Sequence, residues 1–127
     1  MIKTFTILLL LLTSHLLNGQ ETTDYEITFD KNIHDFGIID KGYRAECVFS
    51  FVNKTQRPVA ISSVKTSCGC TVPKWSKKPV EPNGSGKISV RYNTSITGSF
   101  HKTITIHTTA GSKAVTLAIR GEVKKNK

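Results

Sequence analysis

The chain has 127 residues, 38% of them hydrophobic, with three cysteines and a formal net charge of +9. This length suits a single domain, and the charge raises nucleic acid, an anionic glycan or a membrane surface as partners. The cations are spread along the chain, however, and cluster only at 74–78 and 124–127. Because no aromatic platform for base stacking is visible, we do not expect nucleic-acid binding.

The N-terminal residues have the three-part pattern of a signal peptide. A basic start at 1–4 precedes an apolar run at 5–12, and the small residue Gly19 precedes the polar Gln20. The apolar run is shorter than the roughly 20 residues that span a membrane. We therefore predict cleavage after Gly19, a periplasmic or secreted protein, and no stable membrane span after cleavage. An uncleaved N-terminal anchor is the alternative.

Removal of the predicted signal peptide, 1–19, leaves a strongly basic chain. It takes away one lysine and no acid, so 17 of the 18 cations remain against all 9 acids, a charge of +8.

Alternation of apolar and polar residues recurs along the mature sequence and predicts β-strands. In chain order the predicted strands are 25–29, 34–39, 43–53, 59–65, 87–93, 101–107 and 115–123. The segment 71–86 contains three prolines and ends in Asn-Gly-Ser-Gly, which predicts a long loop with a turn that needs positive φ. These about seven short strands predict an all-β, antiparallel, immunoglobulin-like β-sandwich over 20–123, with a basic tail at 124–127.

One predicted strand places a cysteine among aromatic residues. Cys47, Phe49 and Phe51 share one face of strand 43–53, so that face is predicted to point into the core. A buried cysteine behaves as a small hydrophobe, and we expect Cys47 to be free and inert. Pairing of Cys47 with Cys68 or Cys70 is the alternative.

The stretch Ser67-Cys68-Gly69-Cys70-Thr71 is the main candidate for chemistry. Export favours oxidation, and a kink at Gly69 is expected to bring Cys68 and Cys70 close enough for a disulfide. Three interpretations remain open: a structural disulfide or packed thiols, a redox-active pair, and a Cu(I) site built from two thiolates. A zinc site is disfavoured because it needs a second pair of ligands.

The predicted loop carries a candidate contact tip. Trp75 stands among cations, and a tryptophan exposed between positive charges is a common anchor at protein interfaces. We therefore predict an interaction loop formed by Lys74, Trp75, Lys77 and Lys78. The alternative is that Trp75 folds back over the end of the sandwich.

Short motifs spread over most of the mature chain carry a resemblance to a known family. They are HDFG at 34–37 with KG at 41–42, FSFVN at 49–53, SCGCTVP at 67–73 with Trp75, PNGSG at 82–86, and TGSF at 97–100 leading into KTITI at 102–106. With these motifs the chain resembles domain-of-unknown-function family 1573, a family of exported bacterial domains. The resemblance implies an immunoglobulin-like sandwich, related in style to modules that bind other proteins along a sheet edge or face, and it implies no known catalytic activity.

Two functions from different classes follow. No sequence motif of a hydrolase, a zinc protease or a phosphate loop is present, so we predict a protein that is not an enzyme. The first hypothesis is an exported module that binds an unidentified protein partner and holds no cofactor. The second is a thiol-redox or Cu(I)-handling protein that acts through Cys68-Gly69-Cys70.

Overall fold

Eight β-strands make up the regular structure of residues 26–111 and 113–126, which are the residues that the computed structural model describes. They are β1 (Ile27–Phe29), β2 (Ile33–Asp40), β3 (Ala45–Asn53), β4 (Ile61–Thr66), β5 (Thr71–Trp75), β6 (Ser85–Tyr92), β7 (Gly98–Thr108) and β8 (Val115–Lys124). The predicted signal peptide, 1–19, lies outside the described residues. Within them, no helix has the length and apolar character that crossing a membrane requires.

The strands form two four-stranded sheets, in the orders β1-β3-β6-β5 and β2-β8-β7-β4. All pairs are antiparallel except β2 and β8, which run parallel. The parallel pair departs from the predicted antiparallel arrangement. It joins strands from opposite ends of the chain, so no hairpin fixes their relative direction.

The core lies between the two sheets and is built from the inward positions of the alternating strands. On β3 the residues Ala45, Cys47, Phe49 and Phe51 are buried while the residues between them face out. The other sheet contributes further buried side chains, including Ile104, Ile106, Leu117 and Ile119. Each large apolar side chain removed from water contributes about 1.5–3 kcal/mol. The predicted inward face of β3 is confirmed.

The structure differs from the sequence prediction between 71 and 86. The first five residues of the predicted loop form β5, which pairs with β6 along one edge of its sheet. The Asn93 N–H donates to the Cys70 carbonyl at 2.8 Å, so alternate residues of β5 bond to β6 and Pro73 lies at a position whose backbone faces outward. Because an edge strand tolerates proline where the missing N–H faces away from the sheet, Pro73 does not end the strand.

The turn before β6 matches the prediction from the Asn-Gly-Ser-Gly motif. Asn83 has φ of 63°, a left-handed conformation that asparagine tolerates better than most residues. Three residues later, Gly86 lies against Phe51 on the paired strand, where a Cβ atom would collide with the phenyl ring. The two residues place β6 tightly against β3.

Candidate functional site

The predicted thiol pair lies in a turn that passes from one sheet to the other. The sulfur atoms of Cys68 and Cys70 are bonded to each other, with the Cα atoms 5.2 Å apart. The turn links β4 to β5 and is closed by the Thr71 N–H, which donates to the Cys68 carbonyl at 3.2 Å. Thr66 Oγ1 donates to the same carbonyl at 3.0 Å. The disulfide is thus part of a well-bonded connection between the sheets.

Gly69 forms part of the turn, but its backbone conformation does not itself require glycine. Its φ lies outside the left-handed region, and a Cβ atom added there would meet open space. The turn therefore brings the two cysteines together in a backbone conformation that other residues can adopt. The expected kink at Gly69 is present, and it holds Cys68 and Cys70 close enough for the disulfide.

Cys47 lies apart from this pair. It is buried on β3 and carries a free thiol, as predicted. Burial raises the pKa of the Cys47 thiol to about 11, since the charged thiolate is poorly solvated in the core. A neutral, enclosed thiol of this kind is unreactive toward thiol reagents.

The ligands needed for a metal are not assembled in this form of the protein. Within 26–111 and 113–126, no group of three or more His, Cys, Asp or Glu side chains is arranged to hold an ion. Cys68 and Cys70 could supply two thiolates to Cu(I) only after reduction of their disulfide.

Of the four residues in the predicted interaction loop, the three lysines are exposed and Trp75 is turned inward. Lys74 is exposed on the outer face of β5, whereas Trp75 points inward and packs against the core. Lys77 and Lys78 are exposed in the connection that follows β5. The indole N–H of Trp75 is buried and finds no hydrogen-bond partner among the residues that the structure describes. Trp75 is therefore not an exposed anchor, and the alternative of a folded-back tryptophan is the one observed.

A different surface brings apolar and cationic side chains together. We call it the basic sheet face, and it lies on the outer side of β3, β6 and β5. Its members are Tyr43, Arg44, Val48, Val72, Lys74 and Arg91. Tyr43, Val48 and Val72 are 56%, 42% and 50% exposed, which is high for large apolar side chains.

Strand pairing assembles this face from distant parts of the chain. Arg91 on β6 stands opposite Val72 on β5, and Ser89 stands opposite Lys74. On its other side, Ser89 stands opposite Val48 of β3. Val48 of β3 and Val72 of β5 thus lie on the same side of the sheet as Arg91, which is on β6 between these two strands.

Two shallow depressions run across the basic sheet face. One has a volume of about 210 Å³ and includes Lys74 in its wall. The other has a volume of about 350 Å³ and is lined by Tyr43 and by the disulfide turn at Gly69 and Cys70. Both are lined by Arg44, Val72 and Arg91, so the two depressions form one continuous surface that ends at the disulfide.

The electrostatics of the face are dominated by its cations. Glu46 lines the smaller depression, and its carboxylate accepts a hydrogen bond from Arg44 at 3.1 Å. Arg91 stands opposite Glu46 in the strand pairing, and among the described residues neither Arg91 nor Lys74 is hydrogen-bonded to an acid. The sequence alone did not predict this surface, because it depends on β5, and β5 lies in the segment 71–86 whose three prolines indicated a loop.

A second polar cluster lies at β2. Lys31 Nζ donates to His34 Nδ1 at 2.9 Å, and the His34 ring packs edge-on against Phe36. Burial, together with the nearby Lys31 charge, lowers the pKa of His34. The Gly37 N–H and the Arg120 side chain both donate to Asp35 and lower its pKa. These contacts stabilise β2 at the edge of its sheet.

The fold recurs in solved structures of several kinds. A protein of unknown function from Porphyromonas gingivalis W83 is 15% identical with a TM-score of 0.67, over 76% of this chain and 46% of that chain. The ASH/PapD-like domain of human CEP192 is 11% identical with a TM-score of 0.67, over 91% and 97%. SSP-19, an MSP-domain protein like family member in Caenorhabditis elegans, is 12% identical with a TM-score of 0.57, over 75% and 98%.

These likenesses show the fold alone and confirm the predicted immunoglobulin-like β-sandwich. The chain spans less than half of the P. gingivalis protein that it matches. No curated protein matches it by sequence. The DUF1573 family, described as a protein of unknown function, matches residues 27–123, and the chain belongs to this family.

Proposed function

We propose that this protein is an exported, non-catalytic binding module whose basic sheet face contacts an acidic segment of a partner protein. One observation carries the proposal: three exposed apolar side chains and three cations share one sheet face, with shallow depressions between them. An exposed apolar patch among polar residues is typical of an interaction surface.

Charge complementarity selects the chemistry of the partner. Arg44, Lys74 and Arg91 line the depressions against one acid, Glu46. Arginine binds carboxylates through paired N–H groups, and a positive surface speeds encounter with a negative one. The favoured partner is therefore a segment that carries Asp or Glu.

Apolar contacts supply the rest of the interaction. Tyr43, Val48 and Val72 flank the cations and are free to lose further area to water on binding. Buried apolar area contributes roughly 25 cal/mol per Å² before the costs of association are subtracted. A segment that alternates acidic and apolar residues would satisfy both parts of the face.

The edge of the same sheet is a poorer docking site than its face. At the outer edge of β5, Pro73 has no N–H, and the Thr71 N–H is already bonded to the Cys68 carbonyl. An added strand would find few donors there. These two residues favour docking on the basic sheet face over strand addition at β5.

A peptide titration tests the proposal. The probes are two synthetic decapeptides, one of alternating Glu and Leu and one of alternating Lys and Leu, added to the isotope-labelled protein. We expect the Glu peptide to shift the amide signals of Val48, Val72 and Arg91, and the Lys peptide to leave them unchanged. Equal responses to both peptides, or shifts confined to the other sheet, would contradict the proposal.

A second candidate function is thiol chemistry at Cys68 and Cys70. It is favoured by the position of the disulfide turn, which opens on the end of the basic sheet face. Exchange with a dithiol would need only access to the turn, whereas Cu(I) binding would need both thiolates and thus prior reduction. Competition for Cu(I) between a coloured chelator and the reduced protein, compared with Cys68→Ser, separates these two activities.

A further inference from the structure

The Cys68–Cys70 disulfide is held unequally at its two ends. From this difference we infer a direction for its exchange reaction: an incoming thiolate attacks the sulfur of Cys70, and Cys68 leaves. The inference rests on the second candidate function, thiol chemistry at this pair. It also names the favoured reductant, a dithiol that carries negative charge beside its reacting sulfur.

Cys68 is the end that is anchored inside the turn. Its carbonyl accepts hydrogen bonds from Thr66 Oγ1 and the Thr71 N–H. Its sulfur accepts a further one from the Cys70 N–H at 3.1 Å. A backbone N–H directed at a sulfur favours the thiolate over the thiol. A sulfur that is stabilised as a thiolate is the better leaving group.

Both cysteines are half-buried, and Cys70 is the one that lines a surface depression. It packs against the core on one side, and on the other it lines the depression of about 350 Å³. Gly69 lies beside it with open space where a side chain would project. A reagent that enters the depression would therefore lie beside Cys70.

The same depression carries positive charge. Arg44 and Arg91 line it together with Cys70. A thiolate is negative, and a reductant with a second negative group would be drawn to these cations more strongly than a cationic one. The charge of the site thus selects among thiols of similar nucleophilicity.

A dithiol supplies the two electrons that the exchange reaction needs. Its thiolate forms a bond to Cys70 Sγ, the Cys68–Cys70 bond breaks, and the electron pair stays on Cys68 Sγ. The second thiol of the reductant then loses its proton to solvent and attacks the mixed disulfide, which releases Cys70 as a thiolate. The two thiolates take up two protons from solvent, so the protein gains two electrons as Cys68 and Cys70 become thiols, and the dithiol is oxidised to its disulfide.

The test maps the first adduct on the native protein. The oxidised protein is mixed briefly with 2-mercaptoethanesulfonate, an anionic monothiol, and quenched at neutral pH with excess N-ethylmaleimide, which alkylates the thiolate that is released. Tandem mass spectrometry then locates the adduct on either side of Gly69. We expect the earliest adduct on Cys70 and maleimide on Cys68. The free Cys47 is an internal standard that stays unmodified while the fold is intact.

The rates of reaction with two monothiols test whether the positive charge of the depression favours an anionic reagent. Expressed per thiolate, 2-mercaptoethanesulfonate should react faster than the cationic monothiol cysteamine. The variant Arg91→Gln should reduce that preference about threefold, as expected for one charge at short range in water. The matched control Arg57→Gln removes an exposed arginine of the 54–58 turn and should leave the preference unchanged.

The possible results distinguish failure of the inferred direction from failure of thiol exchange, the function on which the inference rests. An earliest adduct on Cys68 overturns the inferred attack at Cys70. A faster reaction with cysteamine overturns the preference for an anionic thiol. In both cases thiol exchange as a function still stands. If the native protein forms no adduct unless it is unfolded, both the inference and the second candidate function fail. The peptide titration of the basic sheet face is independent of either result.

Discussion

Cys47 occupies a buried position on β3, where its thiol pKa is raised to about 11 by loss of solvation. We predict that the native, oxidised protein takes up no N-ethylmaleimide at neutral pH and one equivalent after denaturation, because the thiolate is the reactive form. Labelling followed by intact-mass measurement checks this. Stoichiometric labelling of the folded protein would show that Cys47 is accessible.

His34 gives the protein a pH dependence of known sign. Its pKa is lowered from 6.5 by burial and by Lys31, so the unfolded chain binds a proton more tightly than the folded one. The contribution to stability is complete above pH 6.5 and is lost as the pH falls from there through the lower folded-state pKa. His34→Gln should lose less stability than the native protein over that interval.

Urea unfolding at about pH 8 and about pH 5 measures the difference between the two proteins, on either side of the ordinary histidine range. The native protein should show the larger decrease in the free energy of unfolding. An identical decrease in both proteins would mean that His34 titrates as it does in the unfolded chain.

At the scale of single elements, β5 shows what a sequence pattern misses. Its proline and the two that follow indicate a loop when the sequence is considered alone. In the sheet, Pro73 lies at an edge position whose N–H would face outward, so it costs no hydrogen bond. Whether a proline ends a strand therefore depends on neighbours that the local sequence does not reveal.

The strand pair β3–β6 depends on a glycine that the turn pattern alone did not explain. Gly86→Ala should lower the free energy of unfolding by about 1–3 kcal/mol, the usual cost of overpacking. The reason is that the new methyl group would collide with the buried ring of Phe51. Thermal or urea unfolding measures the change.

Gly69→Ala is the matched control for this prediction. The same methyl group would there meet open space at a φ that alanine adopts. Its effect should stay within about 0.5 kcal/mol, as for most surface substitutions. Equal destabilisation by the two variants would contradict the packing that we describe at Gly86.

At the scale of the whole molecule, local alternation predicted the sandwich but not its binding surface. Cys47, Phe49 and Phe51 could be assigned to the core from their period of two. Val48, Val72 and Arg91 could not be grouped in the same way, since only the pairing of β3, β6 and β5 brings them to one face. Pairings between distant strands are set by the tertiary fold. For this reason the sequence pattern indicated Trp75, and not Val72, as a residue of the interaction surface.

The central claim is that the basic sheet face binds acidic segments, and calorimetry of single variants with the Glu–Leu peptide tests it most directly. Val72→Ser and Arg91→Gln should each weaken binding at least about fivefold, since interface residues that matter contribute about 1 kcal/mol or more. Ile38→Ser, which alters a 67% exposed residue of β2 on the other sheet, should leave the affinity unchanged. Unchanged affinity in both face variants, or an equal loss in Ile38→Ser, would contradict the account.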